Sequence, residues 1–226
     1  MKILSMFTAA AAVVAIGGCG SAADPAPAAP SSARPAAQAV PPSTAELRRA
    51  LLTVADLPSG YATDADIFAG TGGAHPVASC RIIMGSLADA VEADVVGKAE
   101  TAFTAGEAGP FLAESVASLR AADATAETAR LERSLTACKT FRFTDTDGVA
   151  YQYTVKPMSF PSVGDESSAV RVTLTTENSD YDFTMDAVQV LVRVDQTLAT
   201  VFSMGIPSAM PAAKLEQAVK VAVAKL

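Results

Sequence analysis

Residues 141–156 read FRFTDTDGVAYQYTVK. Phe141 and Phe143 flank Arg142, and Val149, Tyr151, Tyr153 and Val155 alternate with Ala150, Gln152, Thr154 and Lys156. A period of two sends alternate side chains to opposite faces of a strand. An Asp-Gly pair between two such runs, here Asp147-Gly148, marks a hairpin turn. The pattern continues downstream. Val170, Val172 and Leu174 alternate with Arg171, Thr173 and Thr175, and Tyr181, Phe183 and Met185 alternate with polar and acidic residues. Val188, Val190, Val192 and Val194 alternate with Gln189, Leu191 and Arg193, and Leu198–Met204 reads as a last strand. Asn178–Asp180 and Asp195-Gln196 supply the turns. These residues predict a meander of about five antiparallel strands.

Upstream, the period is 3.6. Leu131, Leu135 and Cys138 fall at i, i+4 and i+7 of a predicted helix from Ala124 to Cys138. Before it, Gly109-Pro110 opens a further predicted helix, because proline is tolerated in a first turn. Phe111, Leu112, Ser115, Val116 and Leu119 would line its inner face. Val95–Thr104 and Tyr61–Phe68 read as strands. A first helix starts at Ser43 or Thr44, with Glu46 placed for a capping box on Ser43, and runs to about Ala55. It stops at Asp56-Leu57-Pro58-Ser59-Gly60, since proline disfavours helix in the residue before it and glycine permits the turn. Lys214–Leu226 closes the chain as a helix with Leu215, Ala218, Val219 and Ala222 inward. The fold class expected is α+β: an antiparallel sheet of about five to seven strands with helices packed on one face.

The first residues have a different character. Lys2 precedes a stretch from Ile3 to Ile16 without any charge, too short for the roughly 20 residues that span a bilayer. It ends Ile16-Gly17-Gly18-Cys19. Charge, apolar run and small residues make a signal peptide over residues 1–18. The last four residues resemble the bacterial lipobox. That resemblance implies cleavage before Cys19 and a lipid on its sulfur, and two or three acyl chains hold a protein stably on a membrane. Residues 19–43 are mostly alanine and proline with no apolar period, so they form a disordered linker. In extended form it would reach on the order of 70 Å. Residues 44–226 are then a single extracytoplasmic domain, on the cell-membrane surface.

The chain carries 17 basic and 24 acidic residues, net −7. An acidic domain without a basic stripe does not suit nucleic acid. With Cys19 lipidated, Cys80 and Cys138 remain. In an exported protein the simplest reading is one disulfide, closing a loop of about 59 residues, worth about 4 kcal/mol; two free thiols are the other reading.

Catalytic signals are sparse. His75 is the single histidine and sits in a glycine-containing loop before Pro76. No Gly-x-Ser-x-Gly elbow or phosphate-cradling glycine loop with lysine occurs. A zinc site in most cases needs three or four nitrogen or sulfur ligands, so neither metal nor cofactor is expected. Asp145-Thr146-Asp147-Gly148 resembles the start of a calcium loop but lacks its later acids, which favours a plain turn. Gly164-Asp165-Glu166 reads as a solvated acidic loop. Tyr151, Tyr153, Tyr181 and Phe183 share a face that lines either a core or a ligand pocket.

Leu51-Leu52…Asp56-Leu57-Pro58, Cys80, Phe111–Leu119, Leu135-Thr136-Ala137-Cys138 and Leu215–Leu226 together resemble the PknH-like extracellular sensor domain family, which includes actinobacterial lipoproteins. The resemblance covers about residues 45–226 and its motifs are loose. It implies a small cleft-bearing domain that binds an envelope ligand. The chain departs from the family pattern of four cysteines and a tryptophan: it has one candidate bridge and no Trp. The expected function is a non-catalytic, ligand-binding or sensor-like lipoprotein domain. Its partners would be the membrane, through Cys19, and an envelope ligand or protein. Lipid or glycolipid carriage, or docking on a protein partner, are the alternatives.

Overall fold

The computed structural model describes residues 40–64, 77–84, 87–144, 148–177, 184–206 and 208–226. In chain order the elements are α1 (Thr44–Ala50), β1 (Ala62–Thr63), α2 (Arg81–Met84), α3 (Leu87–Ala90), β2 (Gly97–Thr104), β3 (Phe111–Ser118) and α4 (Ala121–Ala137). There follow β4 (Thr140–Thr144), β5 (Ala150–Met158), β6 (Glu166–Glu177), β7 (Thr184–Val194), β8 (Thr197–Gly205) and α5 (Ala212–Lys225). Short 3-10 turns occur at Val54–Asp56 and Ala78–Cys80.

The meander is present as β4 to β8, each strand pairing with the next in antiparallel register. Asp195, at φ 50, turns the chain between β7 and β8, a left-handed position that Asp tolerates. The whole sheet has eight strands in the order β1-β2-β3-β8-β7-β6-β5-β4, so the α+β antiparallel class holds with one strand more than expected.

The additional strand is β3, where the sequence predicts a helix after Gly109-Pro110. That peptide is cis and the chain beyond it is extended between β2 and β8. Leu112, Val116, Ala117 and Leu119 are all fully buried. A strand buried on both faces has no polar alternation, and its apolar residues fall at helix-like spacings by chance.

The helices also cover both faces rather than one. Along β7, Ala187 and Leu191 belong to the core beneath α4, with Ala124, Leu131 and Leu135. Val188, Val190 and Val192 belong to a second core with Leu215, Ala218, Val219 and Ala222 of α5. Alternation along the strand places these sets on opposite faces. The near-continuous apolar run from Ala187 to Val192 is the sequence mark of a doubly covered strand. α1 lies on the α5 side, where Leu47 and Leu51 pack with Ala99, Val116 and Ala199.

The capping box of α1 forms as read: Glu46 Oε2 accepts from the Ser43 N–H at 2.7 Å and the Glu46 N–H donates to Ser43 Oγ. The helix nevertheless ends at Ala50, five residues early. Continuing it would require the Leu52 N–H to turn back to the Arg48 carbonyl. Instead it donates to Glu114 Oε2 at 2.6 Å, while Lys225 Nζ donates to the Leu51 carbonyl. Gly97 lets the root of α1 approach, since a Cβ there would lie 2.7 Å from the Pro42 oxygen and the Thr44 nitrogen.

Candidate functional site

On the α4 face, pairing aligns side chains in rows across the strands. Tyr151 stands between Phe143 and Thr176. Tyr153 stands between Phe141 and Leu174, and Leu174 beside Met185. The next row runs Val155, Val172, Ala187, Met204 and Phe111. In these rows Val155, Val172, Ala187 and Phe141 are buried, while Phe143, Tyr151, Tyr153, Leu174, Met185, Met204 and Phe111 are half-buried. Together they form an apolar and aromatic strip spanning six strands, about 24 Å at the usual strand spacing. None of the side chains in these rows is charged.

The strip has a built floor. Phe141 and Tyr153 stack with ring centroids 4.4 Å apart and an interplanar angle of 10°. Burial, with Tyr151 beside it, pushes the Tyr153 phenol up to about 12, so it stays protonated at any physiological pH. Two residues along β7 from Ala187, on the same face, Gln189 is 3% exposed. Its Nε2 donates to the Ile82 carbonyl at 2.8 Å, and its Oε1 has no partner. A buried unpartnered acceptor is costly to keep, and this one lies next to the strip.

Of the tyrosine and phenylalanine set expected to share a face, Tyr151 and Tyr153 do so; Tyr181 and Phe183 lie outside the described residues. Cys80 and Cys138 are joined in a disulfide, with Cα atoms 5.1 Å apart, which ties the turn before α2 to the end of α4. Cys19, His75, Asp145 and Asp147 also lie outside the described residues. Among those described, no group of three or more His, Cys, Asp or Glu is placed to hold a metal ion.

The loop Gly164-Asp165-Glu166 is not merely solvated. Arg193 Nη1 donates to Asp165 Oδ2 and Nη2 to Glu166 Oε1, both at 2.9 Å, and the Asp195 N–H donates to Asp165 Oδ2 at 2.7 Å. Arg193 thus clamps the start of β6 to the β7–β8 turn, a structural role.

Sequence reasoning missed Leu174, Met185, Met204 and Phe111 as members of the strip. Parity along each strand was available. Their alignment depends on register between strands, and the β3–β8 pairing links residues 79 to 93 positions apart. It also missed Glu114, which is not among the residues that the helix reading of 111–119 placed on an inner face.

The fold is similar to the crystal structure of the extracellular domain of PknH from Mycobacterium tuberculosis. The TM-score is 0.55 at 13% identity, covering 82% of this chain and 97% of that one. No protein-family model matches the sequence, and no curated protein matches it. Among the described residues, no helix is long and apolar enough to cross a membrane.

Proposed function

We propose that this chain is a cell-envelope lipoprotein whose extracytoplasmic domain, residues 44–226, binds a ligand without catalysing a reaction. The observation that carries the reading is the uncharged strip from Phe143 to Phe111, most of whose side chains are half-buried around a buried centre. It offers apolar contact and ring stacking, with few polar groups to orient a guest, and such a surface binds rather than makes bonds. The likeness to the extracellular domain of PknH supports the same reading, as does the lipobox-like Ile16-Gly17-Gly18-Cys19. Membership of the PknH-like sensor domain family belongs to this proposal too. In it, residues 19–43 tether the domain and lipid on Cys19 holds it to the membrane.

The test is native mass spectrometry of the full mature chain, extracted in mild detergent from the organism that makes it. A reproducible extra mass, lost when Met185 is replaced by Glu, is the expected result. Acyl fragments from that mass would identify lipid carriage as the form of binding. A bare polypeptide from every preparation would overturn ligand binding. The anchor is tested separately: Cys19→Ala should move the protein from the membrane fraction to the soluble one, and an unchanged membrane fraction would overturn it.

A further inference from the structure

Glu114 stands on β3, near the centre of the sheet, and is 1% exposed. Its neighbours in register are Thr101 on β2 and Val201 on β8, neither charged. The carboxylate is covered by the segment that links α1 to the Val54–Asp56 turn. Oε2 accepts from the Leu52 N–H at 2.6 Å, and Oε1 is buried with no partner. Each element packed over it supplies one group. From the turn comes Asp56, whose Oδ2 accepts from the Thr53 N–H at 2.7 Å and from Thr53 Oγ1 at 2.8 Å. From the end of α5 comes Lys225, whose Nζ donates to the Leu51 carbonyl and to Asp56 Oδ2, the latter at 2.8 Å. On α1 itself, Arg48 and Arg49 are exposed and Glu46 is turned to Ser43. On β2, Lys98 and Glu100 alternate to the other face of the sheet.

The charge count at this point is uneven. Lys225 is matched by Asp56, so an ionised Glu114 is a second, uncompensated anion in the interior. A buried unpaired charge is far more costly than a buried neutral carboxyl group. The cheapest relief is local. Lifting Leu51–Asp56 away hydrates the carboxylate and leaves the eight-stranded sheet intact.

We infer that Glu114 is a proton-controlled latch: neutral, it seats the N-terminal segment Pro42–Leu57 on the sheet, and ionised, it releases that segment to solvent. Burial pushes the Glu114 carboxyl up to about 7, against smaller lowering by the Leu52 N–H and Lys225, which places the switch near neutral pH.

Hydrogen exchange of the full mature chain at pH 6 and pH 8, corrected for the intrinsic dependence of exchange on pH, is the test. The opening of residues 44–57 should rise about tenfold between these values, as follows from a group that titrates near 7 when seated and near 4.5 when open. In Glu114→Gln the rise should vanish, while the exchange of β6 and β7 stays unchanged. An equal rise in Glu114→Gln, or no rise in the unaltered protein, would overturn the latch. A second measurement needs no variant. The Glu114 side-chain carboxyl resonance should titrate between pH 6 and 8, and titration near 4.5 would refute the inference.

Discussion

Cys138, the buried residue that caps the C-terminal end of α4, is bonded to Cys80, which is 58 residues earlier and 2% exposed. The bond fastens the longest helix to the turn that leads into α2, and α2 in turn covers Gln189 through the Ile82 carbonyl. The loop it closes contains α2, α3, β2, β3 and the whole of α4. Cross-linking so long a loop lowers the entropy of the unfolded chain. Cys80→Ser combined with Cys138→Ser is therefore expected to lower stability by about 4 kcal/mol. Urea unfolding of the double variant against the oxidised protein checks this, and a difference below about 1 kcal/mol would contradict it.

Glu114 gives the whole protein a stability profile of defined sign. Its carboxyl titrates at about 7 in the folded chain against an ordinary value of 4.5. Between these values the folded state keeps a proton that the unfolded state releases. The stabilisation is fully present below pH 4.5 and is lost as pH rises to about 7. The full span corresponds to about 3 kcal/mol. Glu114→Gln should flatten this fall and make the variant more stable than the parent at pH 8. Guanidinium unfolding from pH 5 to pH 8 measures both. Asp56 and Glu46 are held below their ordinary values, by Lys225 and Ser43 respectively, so they act only at lower pH and do not blur the window.

Local pattern and tertiary context divide what was legible in the sequence. The hairpins of β4 to β6 were readable because one of the two faces is polar over much of their length, and β7 because its valines recur at every second position. The closing helix was readable because Leu215, Ala218, Val219 and Ala222 repeat at helical spacing. β3 was not, since burial on both faces removes the alternation. Nor was the early end of α1, because the group that captures the Leu52 N–H is 62 residues away. For the strip, Tyr151 and Tyr153 could be placed on one face from their spacing alone. Met204 and Phe111 join them only through pairing between strands distant in sequence.

Gly97 marks where the root of α1 meets the sheet. A methyl group there would press on the Pro42 oxygen and the Thr44 nitrogen, both backbone atoms that cannot swing aside. The Thr44 Oγ1 to Lys98 N–H contact at 3.2 Å and the Ser118 Oγ to Pro42 carbonyl contact at 2.6 Å would be strained with it. Gly97→Ala is expected to cost about 1–3 kcal/mol. It should also make residues 44–57 more sensitive to limited proteolysis while β5 to β8 remain resistant. Unchanged proteolysis would show that the approach at Gly97 does not hold the segment.

The strip predicts an asymmetry between the two faces of the same strands. Met185 is half-buried in the uncharged row with Leu174 and Tyr153, whereas Thr154 lies on the opposite face of β5, paired with Thr140 and Thr173. A glutamate at 185 places a carboxylate against any apolar guest, which must then desolvate it, and even 1.4 kcal/mol of that cost is tenfold in affinity. Met185→Glu should weaken binding of a neutral apolar fluorescent probe, N-phenyl-1-naphthylamine, by about tenfold or more. Global stability should change by only about 1 kcal/mol, because the side chain already reaches solvent. Thr154→Glu should leave probe binding unchanged. Equal loss in both variants would mean that the probe responds to net charge rather than to the strip, and equal retention would place the ligand elsewhere on the domain.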